Sequence, residues 1–440
     1  MTPVERFREL LRIPTVSRVD PAEVETARFD EFHAALERLY PLTHARLERE
    51  VVSGHSLLYR WVGASPESPL VLLAHQDVVP VEGQPWRHPP FDAVVEGEGA
   101  EKAVYARGAI DDKGALVAIL EAVEEALADG LVPRTDVWLA FGHDEETRGT
   151  GAQAMAALLA ERGVRPALVL DEGGAVVEGA LPGVAAPTAM IGVAERGVAS
   201  FDLVTREAGG HASTPPRLPA TARLARAIDR LRRRPFPLRL SDPVRAMLGT
   251  AAAHSGEPFR TLFRRTAVSA PLVTAAFSRL GPETNALVRT TAVVTRLEGA
   301  AGENVLATTA RATVNVRLLT GDTLSDVSVH LRRAVADPRV DIELRSGGDP
   351  SPVSPWQGEA WRRLATAVVT TLGDDVVPLP YLQLGASDSR FYTGLTPHVY
   401  RFAPFHLTRP ERDALHAPDE RIRVDSWLRG IRFYRALLES

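Results

Sequence analysis

The segment LVLLAHQDVVP, residues 70–80, runs through five apolar residues and then meets His75, Asp77 and Pro80. A run this short and this apolar reads as a strand buried on both faces. Two more follow the same pattern, DVWLAFG ending at Gly142 and ALVL ending at Leu170. Between the first two lies DDKGALVAILEAVEEALADG (111–130). There Leu116, Ile119, Leu120, Val123 and Leu127 recur at helical spacing, and Gly130 stands where a helix would stop. Strand and helix in alternation build an α/β fold, a sheet with parallel strands covered by helices.

Downstream the pattern changes. ASFDLVTREAGG, TTAVVTRLEG, ARATVNVRLLT and VDIELRSG alternate like half-exposed strands, with helical stretches PATARLARAIDRLRRR and TLSDVSVHLRRAV among them. This is a separate α+β unit. The arginines of the first helix read as a solvated face and carry no function. After SGGDPSPVSPW, rich in Pro, Gly and Ser, helices and short apolar strands return. The simplest architecture inserts the middle unit, 194–348, into a larger domain built from 1–193 and 349–440.

Composition narrows the chemistry. The 440 residues exceed what one ordinary core holds, and 45% apolar with 24% charged residues describes a packed globular chain. A net charge of −5 without a broad basic face argues against nucleic acid or an anionic membrane as partner, and favours a small molecule. The start, MTPVERFRELLRIP, lacks the apolar core of a signal peptide, and no later stretch is long enough to span a bilayer; a cytoplasmic location is expected. With no cysteine, any metal must be held by His, Asp and Glu, a set suited to zinc, manganese or cobalt in hydrolytic sites.

Such residues gather where strands end, the place where ligands bind in open α/β sheets. His75 and Asp77 share one side of an extended segment, so Asp77 can accept the proton of the ring nitrogen that is not on a metal. Asp111 and Asp112 precede a helix, where an aspartate can cap the helix and also turn two oxygens toward two metals. In GHDEETRGTGA three adjacent acids repel one another unless cations or shared protons relieve them. Glu146 is read there as a ligand and Glu145 as the general base. ALVLDEGG offers Asp171 or Glu172, beside two glycines that let the backbone turn closely. His416 stands among turn-forming residues in DALHAPDERI. Together these supply what a pair of hydrolytic metals requires.

HQDVVP, RGAIDDKGA, GHDEETRGTGA, LDEGG, GGHASTPP and LHAPDERI resemble, over nearly the whole chain, the aminoacylase and carboxypeptidase family of co-catalytic zinc peptidases. GHDEE, DEGG and GASDSRFY are most like its Gly-Xaa carboxypeptidase and N-acyl-amino-acid hydrolase branch. The resemblance implies a catalytic domain with a mixed, largely parallel sheet, interrupted by a lid with a four-stranded antiparallel sheet and two helices that often forms a homodimer. It implies two Zn2+ per subunit, with Co2+ or Mn2+ as substitutes. His75 and Glu146 would be terminal ligands and Asp111 the bridge, with Glu172 or Asp171, the former favoured, and His416 completing the set. Glu145 would be the base and Asp77 would orient His75. His211 would stabilise the oxyanion, sometimes across a dimer interface, while Arg317 would hold the substrate carboxylate and Asn304 would touch substrate. The implied reaction is hydrolysis of an N-acyl amino acid or short peptide next to a free carboxylate, by a water the zinc activates. Thr147 and Arg148 replace the small or apolar residues of many relatives, which bears on substrate preference. The competing readings are a non-catalytic protein that captures amino-acid derivatives and an aminopeptidase.

Overall fold

The computed structural model describes residues 1–440. Its largest sheet has eight strands in the spatial order Glu48–Val52, Ser56–Trp61, Val137–Gly142, Leu70–His75, Leu168–Val177, Val399–His406, Thr188–Glu195 and Val377–Gln383. Leu70–His75 runs parallel to both of its neighbours, as does Val399–His406 to Leu168–Val177. The hairpin at the first edge is antiparallel, so the sheet is mixed.

The three apolar runs are the centre of this sheet, buried on both faces. Leu70, Leu72 and Ala74 join the large core on one side, while Val71 and Leu73 join a smaller core on the other. Alternation at a period of two sends neighbours to opposite layers, and each buried Leu or Val contributes roughly 1.5–3 kcal/mol. The large core is closed by helices Lys113–Ala128, Glu359–Leu372 and Val424–Glu439. Trp427 stacks on Phe7 at 4.5 Å between ring centroids, and its indole N–H donates to the Gly114 carbonyl at 2.9 Å. Helix Thr150–Glu161 covers the smaller core through Ala152, Met155 and Leu159.

A second, antiparallel sheet orders Thr291–Glu298, Thr309–Leu318, Gly197–Arg206 and Val340–Gly348. Helices Ala220–Arg233 and Leu324–Val335 pack on it through Leu224, Leu231, Leu331 and Val335, giving it a core of its own. The stretch between Asp242 and Val288 lies within 194–348 in sequence, yet it folds into helices whose Val244, Met247, Leu248, Phe263 and Phe277 join the larger core. A short pair of strands, Gly210–His211 with Val305–Leu306, stands beyond the second sheet. No helix is long and apolar enough to cross a membrane.

Candidate dinuclear metal centre

His75 ends its strand 1% exposed, and its Nε2 lies 2.9 Å from Asp111 Oδ1 and 3.7 Å from Glu172 Oε1. His416, on the far segment of the chain, brings its Nε2 to 2.9 Å from Asp111 Oδ2 and 3.1 Å from Glu146 Oε1. The ligand atoms thus fall into two triads, His75–Asp111–Glu172 and Asp111–Glu146–His416. Asp111 belongs to both, one carboxylate oxygen turned to each imidazole. Glu145 belongs to neither, yet lines the same cleft.

Local structure explains how each group arrives. Glu420 is fully buried, and its carboxylate accepts the N–H groups of Gly108, Ile110 and Asp111 while pairing with Arg107 at 2.6 Å. It fixes the loop that carries Asp111 and ties it to the segment that carries His416. In the GHDEE loop, Asp144 is taken up by the helix that follows, accepting from Thr150 N, Thr150 Oγ1 and Gly151 N. Negative charge belongs at that helix start. Only Glu145 and Glu146 remain for chemistry.

Asp77 holds the same loop. Its two oxygens accept the backbone N–H groups of Glu145 at 3.1 Å and Glu146 at 3.2 Å. His75 Nδ1 meets the Asp77 carbonyl at 2.9 Å and the carboxylate only at 3.4 Å. Asp77 thus meets His75 through both groups, its backbone oxygen the nearer, while its carboxylate also holds the loop. Asp112 differs from the capping expectation. Its carbonyl accepts from Ala115 and Leu116, but its carboxylate accepts from His75 N at 3.2 Å and caps nothing.

Between Asp171 and Glu172 the structure favours the second. The strand does not end at Leu170, as its apolar run suggests, but continues to Val177 with a bulge: Arg401 pairs with Asp171 and Phe402 with Gly174, leaving Glu172 and Gly173 extra. Gly173 adopts φ +134° there. A bulge re-aims a side chain, and here it turns Glu172 to the metal side. Asp171 stays buried, its oxygens accepting from Ser389 N at 2.6 Å and Glu172 N at 2.9 Å, and it joins neither triad.

Burial pushes the Glu145 and Glu172 carboxyls well above their usual range, reinforced by the neighbouring acids. Burial and then Asp111 raise Glu146 to about 7, and contacts with Asp111 and Glu146 hold His416 up at about 10. No lysine or arginine forms an ion pair with Asp111, Glu145, Glu146 or Glu172. An acid-rich cluster whose carboxylates pair with no lysine or arginine, with two imidazoles and a shared carboxylate, fits a pair of divalent ions.

The centre opens into a cleft of about 990 Å³ between the two sheets, lined on the metal side by Glu145, Glu146, Glu172 and His416 and opposite by Arg196 and Arg317. Over the motif stretches, residues 71–440 match the model of peptidase family M20/M25/M40. The chain belongs to that family. It is therefore an enzyme of the metallopeptidase class. It is 33% identical over 442 residues to human N-fatty-acyl-amino acid synthase/hydrolase PM20D1, covering 99% of this chain and 87% of the relative. Carboxypeptidase S of Saccharomyces cerevisiae is 28% identical over 481 residues, covering 98% and 82%. Among solved structures, the M20 metallo-carboxypeptidase Sso-CP2 from Sulfolobus solfataricus superposes with a TM-score of 0.70 at 18% identity, covering 100% of this chain and 98% of that one. Human carnosine dipeptidase 1 gives 0.65 at 16%, covering 99% and 95%.

The second domain answers the sequence expectations unevenly. Arg317 lines the cleft; His211 and Asn304 do not. Val198, at the cleft, pairs with Arg317, whereas His211 and Val305 pair beyond the opposite strand ends, where Arg206 faces Thr309. Eight residues of extended strand at roughly 3.3 Å each put His211 on the order of 25 Å from the cleft end. His211 is exposed, and its Nδ1 meets only Ser213. Two further residues escaped the sequence reading. Glu420 lies in the quoted DERI, but its role depends on a loop some 310 positions away. Arg196, 3% exposed, donates to the carbonyls of Arg289 and Arg317 and has no acidic partner; it lies in no motif that gave a signal.

Proposed function

We propose that the chain cleaves the amide bond of N-acyl amino acids or short peptides next to a free carboxylate, using two zinc ions per subunit. The observation that carries this reading is the shared Asp111, with Glu145 beside both triads and in neither. His75, Asp111 and Glu172 would hold one ion, and Asp111, Glu146 and His416 the other; Co2+ or Mn2+ suits the same oxygen and nitrogen donors. Bound there, the pair supplies Lewis acidity that polarises the scissile carbonyl and lowers the pKa of the attacking water.

Glu145 takes the proton as water oxygen bonds to the carbonyl carbon, and returns it to nitrogen as the C–N bond breaks. Asp77 keeps the Glu145 and Glu146 amides in place. Arg317, with Arg196 behind it, takes the substrate carboxylate: burial lowers both guanidinium pKa values, Arg196 to about 10, and neither has an acid to pair with. Their charge is left for a ligand. His211 would steady the oxyanion and Asn304 contact substrate from a second copy, through a homodimer of lid domains; the exposed edge strand Thr291–Glu298, with Val293 and Leu297 outward, supports that pairing. The division 1–193, 194–348 and 349–440 goes with this reading, with the Asp242–Val288 helices packed on the larger body. So does a cytoplasmic location.

The test is metal-depleted protein, with and without ZnCl2, on N-acyl amino acids, dipeptides, free-amine substrates and carboxyl-amidated analogues. Zinc-dependent turnover of acylated substrates that is lost on amidation is expected. Preference for a free amine would point to an aminopeptidase, and binding without turnover to a non-catalytic protein.

A further inference from the structure

A third constellation of metal-ligating groups lies outside the cleft. Helix Thr26–Leu39 carries Asp30 and His33 three residues apart, on one face, and His55 stands in the turn between strands Glu48–Val52 and Ser56–Trp61. One ligand atom from each lies within 4.8 Å of the other two. His55 Nδ1 is 3.5 Å from Asp30 Oδ1, and His55 is the only ion-pair partner Asp30 has. The two imidazoles sit 6.1 Å apart at their centroids, and the buried ring of Phe29 lies 5.5 Å from that of His55.

The decisive neighbour is Gln76. Its amide nitrogen donates to the carbonyls of His55 and Phe141, each at 2.9 Å, which fixes its oxygen toward His33 Nε2 at 2.7 Å. His33 must therefore carry its proton on Nε2 and its lone pair on Nδ1. Metal-binding histidines are held in the same manner, one ring N–H donated to a fixed oxygen and the other nitrogen left free.

We propose that Asp30, His33 and His55 form a further metal site, distinct from the cleft, for a late first-row divalent ion of the zinc, nickel or copper class. Two imidazoles with one carboxylate select such ions over magnesium or calcium, which want all-oxygen shells. The ion pins the Thr26–Leu39 helix to the hairpin turn. Gln76 lies between His75 and Asp77 in the chain, so occupancy of this site is one residue removed from the proposed catalytic ligand. The inference does not rest on the proposed reaction.

The experiment compares the full-length wild type with Asp30→Asn/His55→Gln, both dialysed against the same low concentrations of ZnCl2 and analysed for bound metal. The wild type should hold more zinc, the difference rising to about one equivalent as zinc is increased. Added zinc should raise its melting temperature further than that of the variant, while hydrolytic activity stays within about twofold. Should the cleft bind no metal, both totals fall and the difference remains. Equal zinc content in the two proteins overturns the proposal. If the double variant does not fold, the difference is read from His33→Gln instead, where equality has the same meaning.

Discussion

Asp111 and His211 both sit on short connecting segments, and both were singled out by sequence motifs, but the fold treats them differently. Asp111 has its N–H bound by Glu420 and each of its oxygens against an imidazole from a different part of the chain. The His211 imidazole hydrogen-bonds only to Ser213, two residues on, from an exposed pair of strands. Groups that must hold ions in fixed register are over-determined by long-range contacts. A group proposed to act on the transition state from the lid has no such support within its own chain, and the proposed homodimer is what would supply it.

The sharpest way to break this contrast is Asp111→Asn, which removes charge from both triads at once. Metal content should fall at both positions, and kcat/KM should drop by several kcal/mol, about 10³-fold or more. Metal analysis and kinetics on the same preparation check it; retained metal with full activity would sink the shared-ligand reading. Glu145→Gln should be nearly as damaging to kcat, by ~10²–10⁴-fold, but with metal content unchanged. That pair of results separates holding ions from moving a proton.

His211→Ala tests the other half. Loss of one oxyanion donor should cost ~10²–10³-fold in kcat. Mixed with Glu145→Gln subunits, which are also inactive, random pairing makes about half the dimers mixed, each with one complete site, so about a quarter of sites recover. No recovery after subunit exchange would mean that His211 serves its own chain.

The same contrast decides what the sequence could reveal. The strands carrying His75 and the GHDEE loop were legible because runs buried on both faces are uniformly apolar, and residues at their ends must emerge at one edge of the sheet. The helix after Asp112 was equally plain from its spacing. Glu172 was favoured over Asp171 only by the resemblance, because the physical choice depends on a bulge, and a bulge is set by the pairing of Leu168–Val177 with Val399–His406, some 230 positions away. The helices between Asp242 and Val288 escaped for a related reason. Pro271 interrupts one of them, and their apolar faces fit a core made by other segments. The resemblance supplied roles for His211 and Asn304, but only strand geometry revealed how far they stand from the cleft.

The smallest expected effect falls on Arg317, the one of the three lid residues named from the resemblance that the chain does bring to the cleft. A charged hydrogen-bond pair is worth ~1.5–3 kcal/mol, so Arg317→Ala should lower kcat/KM by about 10- to 150-fold. The loss should fall on KM, because the substrate carboxylate keeps its charge from ground state to transition state and is bound equally in both. Arg196 remains in the variant, hydrogen-bonded to two carbonyls, and should keep the loss below complete failure. A carboxyl-amidated substrate supplies the control. Wild type and variant should turn it over equally poorly, since the missing partner is then on the substrate. A variant that still prefers the free carboxylate by the wild-type ratio would move that role from Arg317 to Arg196.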